Sequence, residues 1–231
     1  MGYPKHPGQV LISNEFYSSL KEIDIWNYYQ GIKNKLFLET MSRDLMVFIA
    51  IDINKTTVLR KGKLTKFIRL NRTNFDDVFN ARMLSIHSTM HTTEEIGIID
   101  IDGDDFKKNK EATIDTYDYA ISKIPFIDSA WIKFSGKSSF HIVCNLKRIM
   151  YIDGIRTMLR NFLDGSGLDR NYTIEKFRNR DKNIPNIDLS SNKYRGGFIT
   201  LHSLSTIGLR CMKVDRDKVS SFRKEDAIVK V

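Results

Sequence analysis

The stretch EIGIIDIDGDDF, residues 95–106, decides how this chain is interpreted. The apolar run 96–99 predicts a buried β-strand, yet Asp100 and Asp102 fall at the end of that run. Because strand side chains alternate between faces with a period of two, both carboxylates point to the same face. Two ionised carboxylates held this close repel each other unless a positive charge lies between them. The stretch therefore raises the question of a metal site.

Hard oxygen ligands on one strand face suit Mg²⁺ or Mn²⁺, which bind one or two carboxylates together with substrate phosphates. The alternative is a pair of turn or helix-capping aspartates, which are common where strands end in α+β proteins. Asp104 and Asp105, which follow directly, are predicted to cap the next helix. The pair by itself leaves both interpretations open.

Length and composition indicate a globular protein with a sizeable core: 231 residues, 41% hydrophobic and 28% charged. No window approaches about 18 uninterrupted apolar residues and no signal-peptide core is present, so an intracellular protein without a membrane span is expected, cytoplasmic if prokaryotic or archaeal. Cys144 and Cys211 are too few for a structural zinc site. The net charge of +9 favours nucleic acid as partner, although an AT-rich coding bias toward lysine would also raise it.

Hydrophobic periodicity predicts a mixture of helices and short β-meanders, which favours an α+β fold over a doubly wound parallel sheet. A single domain over 1–231 is expected, possibly cut from a longer chain. Helices are predicted within 14–38, 73–83, 108–123 and 151–164, and a short helix or loop after Pro185. Besides the aspartate strand, strands are predicted at 44–52, 56–62, 66–70, 84–88, 131–134, 141–146, 198–204 and 209–214.

The stretch KFSGKSSFHIV, residues 133–143, predicts a hairpin whose turn is rich in small, hydroxyl-bearing and cationic residues. Such a turn can offer N–H groups and side-chain donors to phosphates, and a histidine opening the return strand could donate to a triphosphate oxygen. An ordinary hairpin with an inward-facing histidine gives the same pattern. The candidate phosphate ligands are Ser135, Gly136, Lys137, Ser138, Ser139 and His141.

The segment 185–211 supplies a further set of candidates. Asp188 follows an apolar residue and is a candidate third carboxylate, while Arg195 and His202 lie in a glycine-rich, basic context. Three separated acids that converge on two divalent ions would form a two-metal phosphoryl-transfer site. The basic stretch before this segment is predicted to bind the template–primer backbone, with a flexible charged loop as the alternative. Its nucleic-acid-binding candidates are Lys176, Arg178 and Arg180.

Four short segments follow one another in a distinctive order: GIIDIDGDD at 97–105, FSGKSSFH at 134–141, NIDLSS at 186–191 and TLHSLSTIGL at 200–209. In this order they resemble the archaeo-eukaryotic primase superfamily. The last segment is similar to the SLH…TGL segment of primase small subunits, and the region that begins with the tyrosine pair at 28–29 resembles their opening segment. The resemblance spans roughly 25–214 and is closest to the archaeal and eukaryotic primase small (catalytic) subunit.

The resemblance implies a primase-type catalytic core, with mixed β-sheets flanked by helices and an RRM-like metal-bearing sheet. Asp100 and Asp102 match the family's metal-binding pair and Asp188 its third acid, which implies two divalent ions, Mg²⁺ or Mn²⁺. Ser135 and His141 match the nucleotide-phosphate contacts.

Two more residues of this chain match functional residues of the family. At two other points the chain departs from the family's pattern. His202 matches a later histidine near the triphosphate, and Arg43 matches the family's arginine. Family members usually place a lysine or arginine just after that histidine, where this chain has LST at 204–206; Arg195 or Arg210 would have to substitute. Many small subunits also carry a zinc knuckle between the first two motifs, but 104–133 contains no cysteine, so no zinc is predicted.

The resemblance implies the catalytic domain of a DNA primase, which joins nucleoside triphosphates on a single-stranded DNA template by a two-metal mechanism and starts primers for replication. A primase large subunit, or a fused domain like it, is the expected partner. A gap-filling polymerase like those attached to bacterial end-joining ligases, which also lack zinc, is the first alternative. The second is a catalytically silent nucleic-acid-binding module. A metal-dependent nuclease is less favoured, since no general-base lysine cluster accompanies the carboxylates.

Overall fold

The computed structural model describes residues 9–11, 22–40, 43–52, 57–61, 68–69, 83–176, 180–205 and 207–229. No helix in these ranges is long and apolar enough to cross a membrane. Their helices are α1 (Glu22–Thr40), α2 (Phe106–Lys123) and α3 (Ile152–Asp164), with short 3₁₀ turns at Leu168–Arg170, Arg216–Lys218 and Lys224–Ala227. Their strands are β1 (Gln9–Leu11), β2 (Asp44–Asp52), β3 (Thr57–Lys61), β4 (Ile68–Arg69), β5 (Met83–Thr89), β6 (Thr93–Asp102), β7 (Ile127–Phe134), β8 (Phe140–Tyr151), β9 (Thr173–Ile174), β10 (Asn186–Asp188), β11 (Gly197–Ile199) and β12 (Met212–Val214).

The chain divides into two compact units, each built from separate segments. The first comprises 1–89, 197–211 and 224–231, and the second comprises 90–196 and 212–223. Each unit contains one sheet. The expected single domain over the whole chain stays a prediction.

The sheet of the first unit has the order β1-β3-β2-β5-β11, with β4 also paired to β2, and all its pairings are antiparallel. Helix α1 buries Ile25, Tyr29 and Leu36 at helical spacing, as an amphipathic helix should. The Tyr29 hydroxyl accepts the N–H of Leu204 at 3.0 Å, which joins this helix to the segment after β11.

The sheet of the second unit has the order β12-β7-β8-β6-β10-β9, antiparallel except for the parallel pair β9–β10. One face of this sheet is covered by helices. A Cβ added to Gly97 of β6 would lie 3.1 Å from Ile155 and 3.2 Å from Leu159, so α3 packs very closely on that face. On α2, Phe106 stacks on Phe140 of β8 with ring centroids 5.7 Å apart.

This packing fixes which face of β6 lies under the helices. Ile99 and Ile101 share the face of Gly97 and are completely buried. Asp100 and Asp102 alternate with them and therefore lie on the opposite face. The helices thus cover the apolar face and leave the carboxylates on the other one.

The predicted α+β class is confirmed, and several elements match closely. The predicted strand 44–52 coincides with β2. Helix α2 begins at Phe106 rather than at 108, because the Asp105 carboxylate caps it by accepting the N–H groups of Lys107 (3.0 Å) and Lys108 (3.1 Å). The opening helix begins at Glu22, and residues 14–21 lie outside the described residues. Of the predicted helix over 73–83, residues 73–82 also lie outside them, and Met83 begins β5.

Three predicted elements differ from the structure. The predicted short helix or loop after Pro185 is wrong, because residues 186–188 form β10, stabilised by pairing with β6 and β9. The predicted strand 198–204 ends at Ile199, since His202 has a φ of +68°, a left-handed conformation that a strand cannot contain. The predicted strand 209–214 is shortened to β12, and Arg210 forms only an isolated bridge with Leu204.

Candidate active site

The three predicted acidic residues come together on one face of the second unit's sheet. Strand β10 runs antiparallel to β6 in a register that places Asp188 directly opposite Asp100 and Asn186 opposite Asp102. Directly opposite residues share a face, with Cβ atoms about 4.5–5.5 Å apart. Asp100, Asp102 and Asp188 therefore form one acidic cluster, although Asp188 is far from the other two in the chain.

A row of ionisable residues crosses the sheet through this cluster. From β12 to β10, successive strands place these residues directly opposite one another: Lys213, Lys133, His141, Asp100 and Asp188. Lys133 is 1% exposed and His141 is 5% exposed, so two basic side chains are buried beside the acids. His141 Nε2 lies 3.5 Å from Asp100 Oδ1. This row gives the acidic cluster a basic flank within the same sheet.

The electrostatics of Asp100 show that negative charge is concentrated here. Burial raises the pKa of Asp100 well above its ordinary value, and the neighbouring carboxylates of Asp102 and Asp188 raise that pKa further. Lys133 and Arg180 act in the opposite direction. Asp100 Oδ1 is buried without a hydrogen-bond partner among the described residues. A carboxylate oxygen in this position is a suitable ligand for a cation.

The other two carboxylates are engaged by protein groups. Arg180 donates to the Asp102 carboxylate at 2.6 Å and to its backbone carbonyl at 2.9 Å. Asp188 Oδ1 accepts the N–H of Ser190 at 2.6 Å. In the part of the chain that the structure describes, no three histidine, cysteine or acidic side chains are already gathered as a set of metal ligands. The three carboxylates nevertheless fit hard divalent cations, provided that Asp102 exchanges its arginine partner.

The predicted hairpin turn between β7 and β8 is present. Ser135 donates its N–H to Ser139 O at 2.9 Å, and the two hydroxyls lie 2.6 Å apart. Gly136 has a φ of +89°, which explains the glycine at this position. Ser135 and Gly136 are buried, whereas Lys137 is exposed. The turn follows Lys133 on β7 and precedes His141 on β8, so it lies beside these two members of the ionisable row. Phosphate binding by the turn stays a prediction.

Arg43 and His202, both predicted near the triphosphate, belong to the first unit. Arg43 Nη1 donates to Thr89 O at 3.1 Å, and its guanidinium lies 5.6 Å from the ring centre of Phe198. His202 adopts its left-handed conformation while its carbonyl accepts the Tyr28 hydroxyl at 2.6 Å. Their contacts with nucleotide stay predictions.

The surroundings of His202 are basic even though no lysine or arginine directly follows it. Burial lowers the pKa of His202, and the charges of Arg210 and Lys35 lower that pKa further. Leu204 is buried and forms an antiparallel bridge with Arg210. This bridge places an arginine beside the segment that follows His202. Residue 206 lies outside the described residues.

The remaining basic candidates are placed differently from one another. Arg195 is exposed, has a φ of +57°, and its guanidinium lies 5.3 Å from the ring centre of Tyr194. Lys176 is exposed on the segment after β9, Arg180 pairs with Asp102, and Arg178 lies outside the described residues. Binding of DNA by these residues stays a prediction.

Two buried side chains near the acidic cluster, Lys133 and Asn192, were not among the predicted site residues. Lys133 lies on β7, directly opposite His141 of β8. The predicted hairpin gives this pairing when the two strands are aligned outward from the turn at 135–139. The other is Asn192, whose carboxamide accepts the Ile98 N–H at 2.8 Å and donates to the Ile98 carbonyl at 2.6 Å. The side chain of Asn192 thereby hydrogen-bonds the backbone of β6 at Ile98, beyond the residues of β6 that pair with β10. No local sequence signal points to this contact.

Among known proteins, the likeness to this chain is one of fold and not of sequence. No known protein family matches the chain, and no curated protein matches it. Among solved structures, the polymerase domain of Ligase D from Mycobacterium tuberculosis, in complex with DNA, is similar with a TM-score of 0.71. The match covers 94% of this chain and 92% of that chain at 12% sequence identity. The likeness confirms the predicted primase–polymerase type of core, and it does not single out the primase small subunit.

Proposed function

We propose that this protein is a DNA-directed nucleotidyltransferase that fills gaps or extends paired DNA ends from nucleoside triphosphates. The single observation that carries the proposal is the register of β10 on β6, which sets Asp188 opposite Asp100 and beside Asp102. Three carboxylates on one sheet face suit the binding of two divalent cations. The similar fold of a polymerase domain from a ligase, in complex with DNA, favours gap filling over primer initiation.

In this proposal each part of the second unit has its own task. Asp100, Asp102 and Asp188 would hold Mg²⁺ or Mn²⁺, which would supply activation of the primer 3′-hydroxyl and charge stabilisation at the reacting phosphate. The turn 135–139 and His141 would bind the triphosphate and orient its α-phosphate toward the attacking hydroxyl. The barrier would be lowered mainly by positioning and electrostatics, because phosphoryl transfer requires little covalent chemistry from the protein.

DNA binding in this proposal rests on charge. The chain carries 37 lysine and arginine residues against 28 acidic ones, which favours a polyanionic partner. Arg180 would serve at the acidic cluster, whereas Lys176 and Arg178 would contact the backbone of the template or primer.

Primer synthesis is the second candidate function. The resemblance of residues 200–209 to a segment of primase small subunits favours it. Both candidates require the same chemistry and differ in whether a 3′-hydroxyl on a primer is needed.

The test uses the purified protein, Mn²⁺ or Mg²⁺ and labelled nucleoside triphosphates on three DNA substrates. These are a duplex with a single-nucleotide gap, a 3′-overhang end, and a single strand without primer. We expect extension of the gapped duplex and of the paired overhang. Products formed only on the unprimed strand would instead identify a primase. DNA binding without incorporation on any substrate, with either cation, would overturn the proposal in favour of a silent binding module.

A further inference from the structure

Asn109 of α2 is completely buried and contacts two of the segments that carry candidate ligands. Its Nδ2 donates to Gly103 O at 2.8 Å, which is the backbone carbonyl directly after Asp102. The same Nδ2 donates to Ser138 O at 2.9 Å, in the turn between β7 and β8. One carboxamide thus joins the end of the acidic strand to the candidate phosphate-binding turn.

The local sequence is adapted to this contact. A Cβ on residue 103 would lie 2.6 Å from Asn109 Oδ1, a distance that real Cβ atoms do not show. Only glycine at 103 therefore lets the carboxamide approach the backbone after Asp102. The backbone of Asn109 is held within the helix. Its N–H donates to Asp105 O at 2.9 Å, and its carbonyl accepts the Thr113 hydroxyl at 2.6 Å.

The amide group is well suited to this bridging position. The amide nitrogen donates to two different carbonyls, a buried one at Gly103 and a partly buried one at Ser138, and both would lose this hydrogen bond if the side chain were removed. The internal bonds between Ser135 and Ser139 fix the shape of the turn, and the pairing of β8 with β6 fixes its end, with Phe140 opposite Ile101. The bond from Asn109 adds a contact inside the turn itself, at Ser138.

We infer that Asn109 is a positioning residue that holds the triphosphate-binding turn, at Ser138, against the end of the metal-binding strand. This inference rests on the proposed function and adds a residue that touches neither nucleotide nor metal. Loss of Asn109 should weaken the binding of nucleoside triphosphate, because Ser138 in the turn is no longer held against the backbone that follows Asp102. Binding of DNA should change little.

The test compares Asn109→Ala with Thr113→Val, which removes a buried hydrogen bond from the same helix and leaves the carboxamide in place. Calorimetry measures the affinity for an α,β-methylene deoxynucleoside triphosphate with Mn²⁺ and a gapped duplex. We expect about tenfold weaker binding for Asn109→Ala and less than about a twofold change for Thr113→Val. Anisotropy of labelled duplex DNA should differ little between the two variants.

Hydrogen exchange gives a readout that does not depend on nucleotide. Amides of residues 135–139 should exchange faster in Asn109→Ala than in Thr113→Val. If the alanine variant does not fold, Asn109→Ser, which keeps one donor, should show a smaller loss of triphosphate affinity and a smaller increase in the exchange of residues 135–139.

The outcomes separate the inference from the proposed function. Wild-type protein that binds no triphosphate would overturn both. A wild type that binds, together with an Asn109→Ala variant that binds equally well or keeps the exchange of the turn unchanged, would overturn the inference alone.

Discussion

The two faces of the sheet in the second unit are made from the same strands and have opposite characters. On one face, Ile99 and Ile101 of β6 are completely buried under α2 and α3. On the other, Asp100 lies between Asp188 and the buried pair His141 and Lys133. The alternation of side chains along a strand places stability and chemistry one residue apart.

Neighbouring positions on β6 should therefore respond to substitution in opposite ways. The apolar face contributes stability through burial of surface, roughly 25 cal/mol per Å². The acidic face concentrates like charges, which oppose folding unless cations or basic groups neutralise them. Substitutions on the acidic face should therefore change activity and cation binding, and those on the apolar face should change stability.

The largest effect is expected from Asp100→Asn, which keeps the size of the side chain and removes its charge. Nucleotide incorporation should fall by about a thousandfold or more, because several kcal/mol of charge stabilisation are lost and each ~1.4 kcal/mol is a factor of ten. Gap-filling assays and Mn²⁺ binding by electron paramagnetic resonance measure the change. Thermal stability without metal should not decrease. Asp104→Asn, an exposed carboxylate of the same stretch, is the matched control; equal activity of the two variants would contradict the assignment.

The neighbouring substitution Ile101→Ala should have the opposite profile. Ile101 is completely buried, so its truncation should cost about 2–5 kcal/mol of stability in a denaturant titration. Ile121→Ala on the exposed side of α2 should change stability by less than about 0.5 kcal/mol. Below its melting temperature, Ile101→Ala should still bind Mn²⁺ as the wild type does. Loss of Mn²⁺ binding in the folded variant would show that the two faces are not separable.

A smaller effect is expected from Lys133→Met, which removes a buried positive charge from the acidic face. Lys133 lowers the pKa of Asp100, so without it that pKa should rise further. The acidic limb of the pH–rate profile should therefore move to higher pH, since Asp100 must be ionised to bind a cation. Lys213→Met, the exposed next member of the same row, should leave the profile in place because its charge is screened by water. A shift of equal size in both variants would rule out a specific role for Lys133.

The smallest effect is expected from Arg180→Met. The guanidinium of Arg180 binds the Asp102 carboxylate, so its removal should free that carboxylate for a cation. We expect Mn²⁺ affinity to rise about fivefold, which corresponds to ~1 kcal/mol for a partly exposed ion pair. Arg216→Met, which breaks a pair with Asp118 of α2, is the control and should leave Mn²⁺ affinity unchanged. Weaker Mn²⁺ binding in Arg180→Met would indicate that the arginine assists the cations instead of competing with them.

Local patterns in the sequence were sufficient for the elements whose own residues define them. The strand β2, the helix α2 with its Asp105 cap, and the hairpin turn at 135–139 all follow from periodicity and turn composition. Strand β10 was mistaken for a helix or loop, because three residues are too few to show a period and the strand exists through its partners β6 and β9.

The candidate site likewise has some features that local sequence predicts and others that depend on contacts between distant segments. The pairing of Asp100 with Asp102 on one face could be predicted, since both lie on one strand. The contacts of Arg180 with Asp102, of Asn109 with Ser138 and of Asn192 with Ile98 join distant segments and have no local signature.

The sequence alone predicts that Asp100 and Asp102 share one face of β6, because the alternation of side chains is a property of a single strand. Only the tertiary structure decided that Asp188 stands opposite Asp100, that Lys133 and His141 are buried in the same row, and that Asn109 joins the turn to the acidic strand. The physical reason is that register between strands is set by the packing and hydrogen bonding of the whole sheet, and a shift of one residue would move Asp188 to the other face.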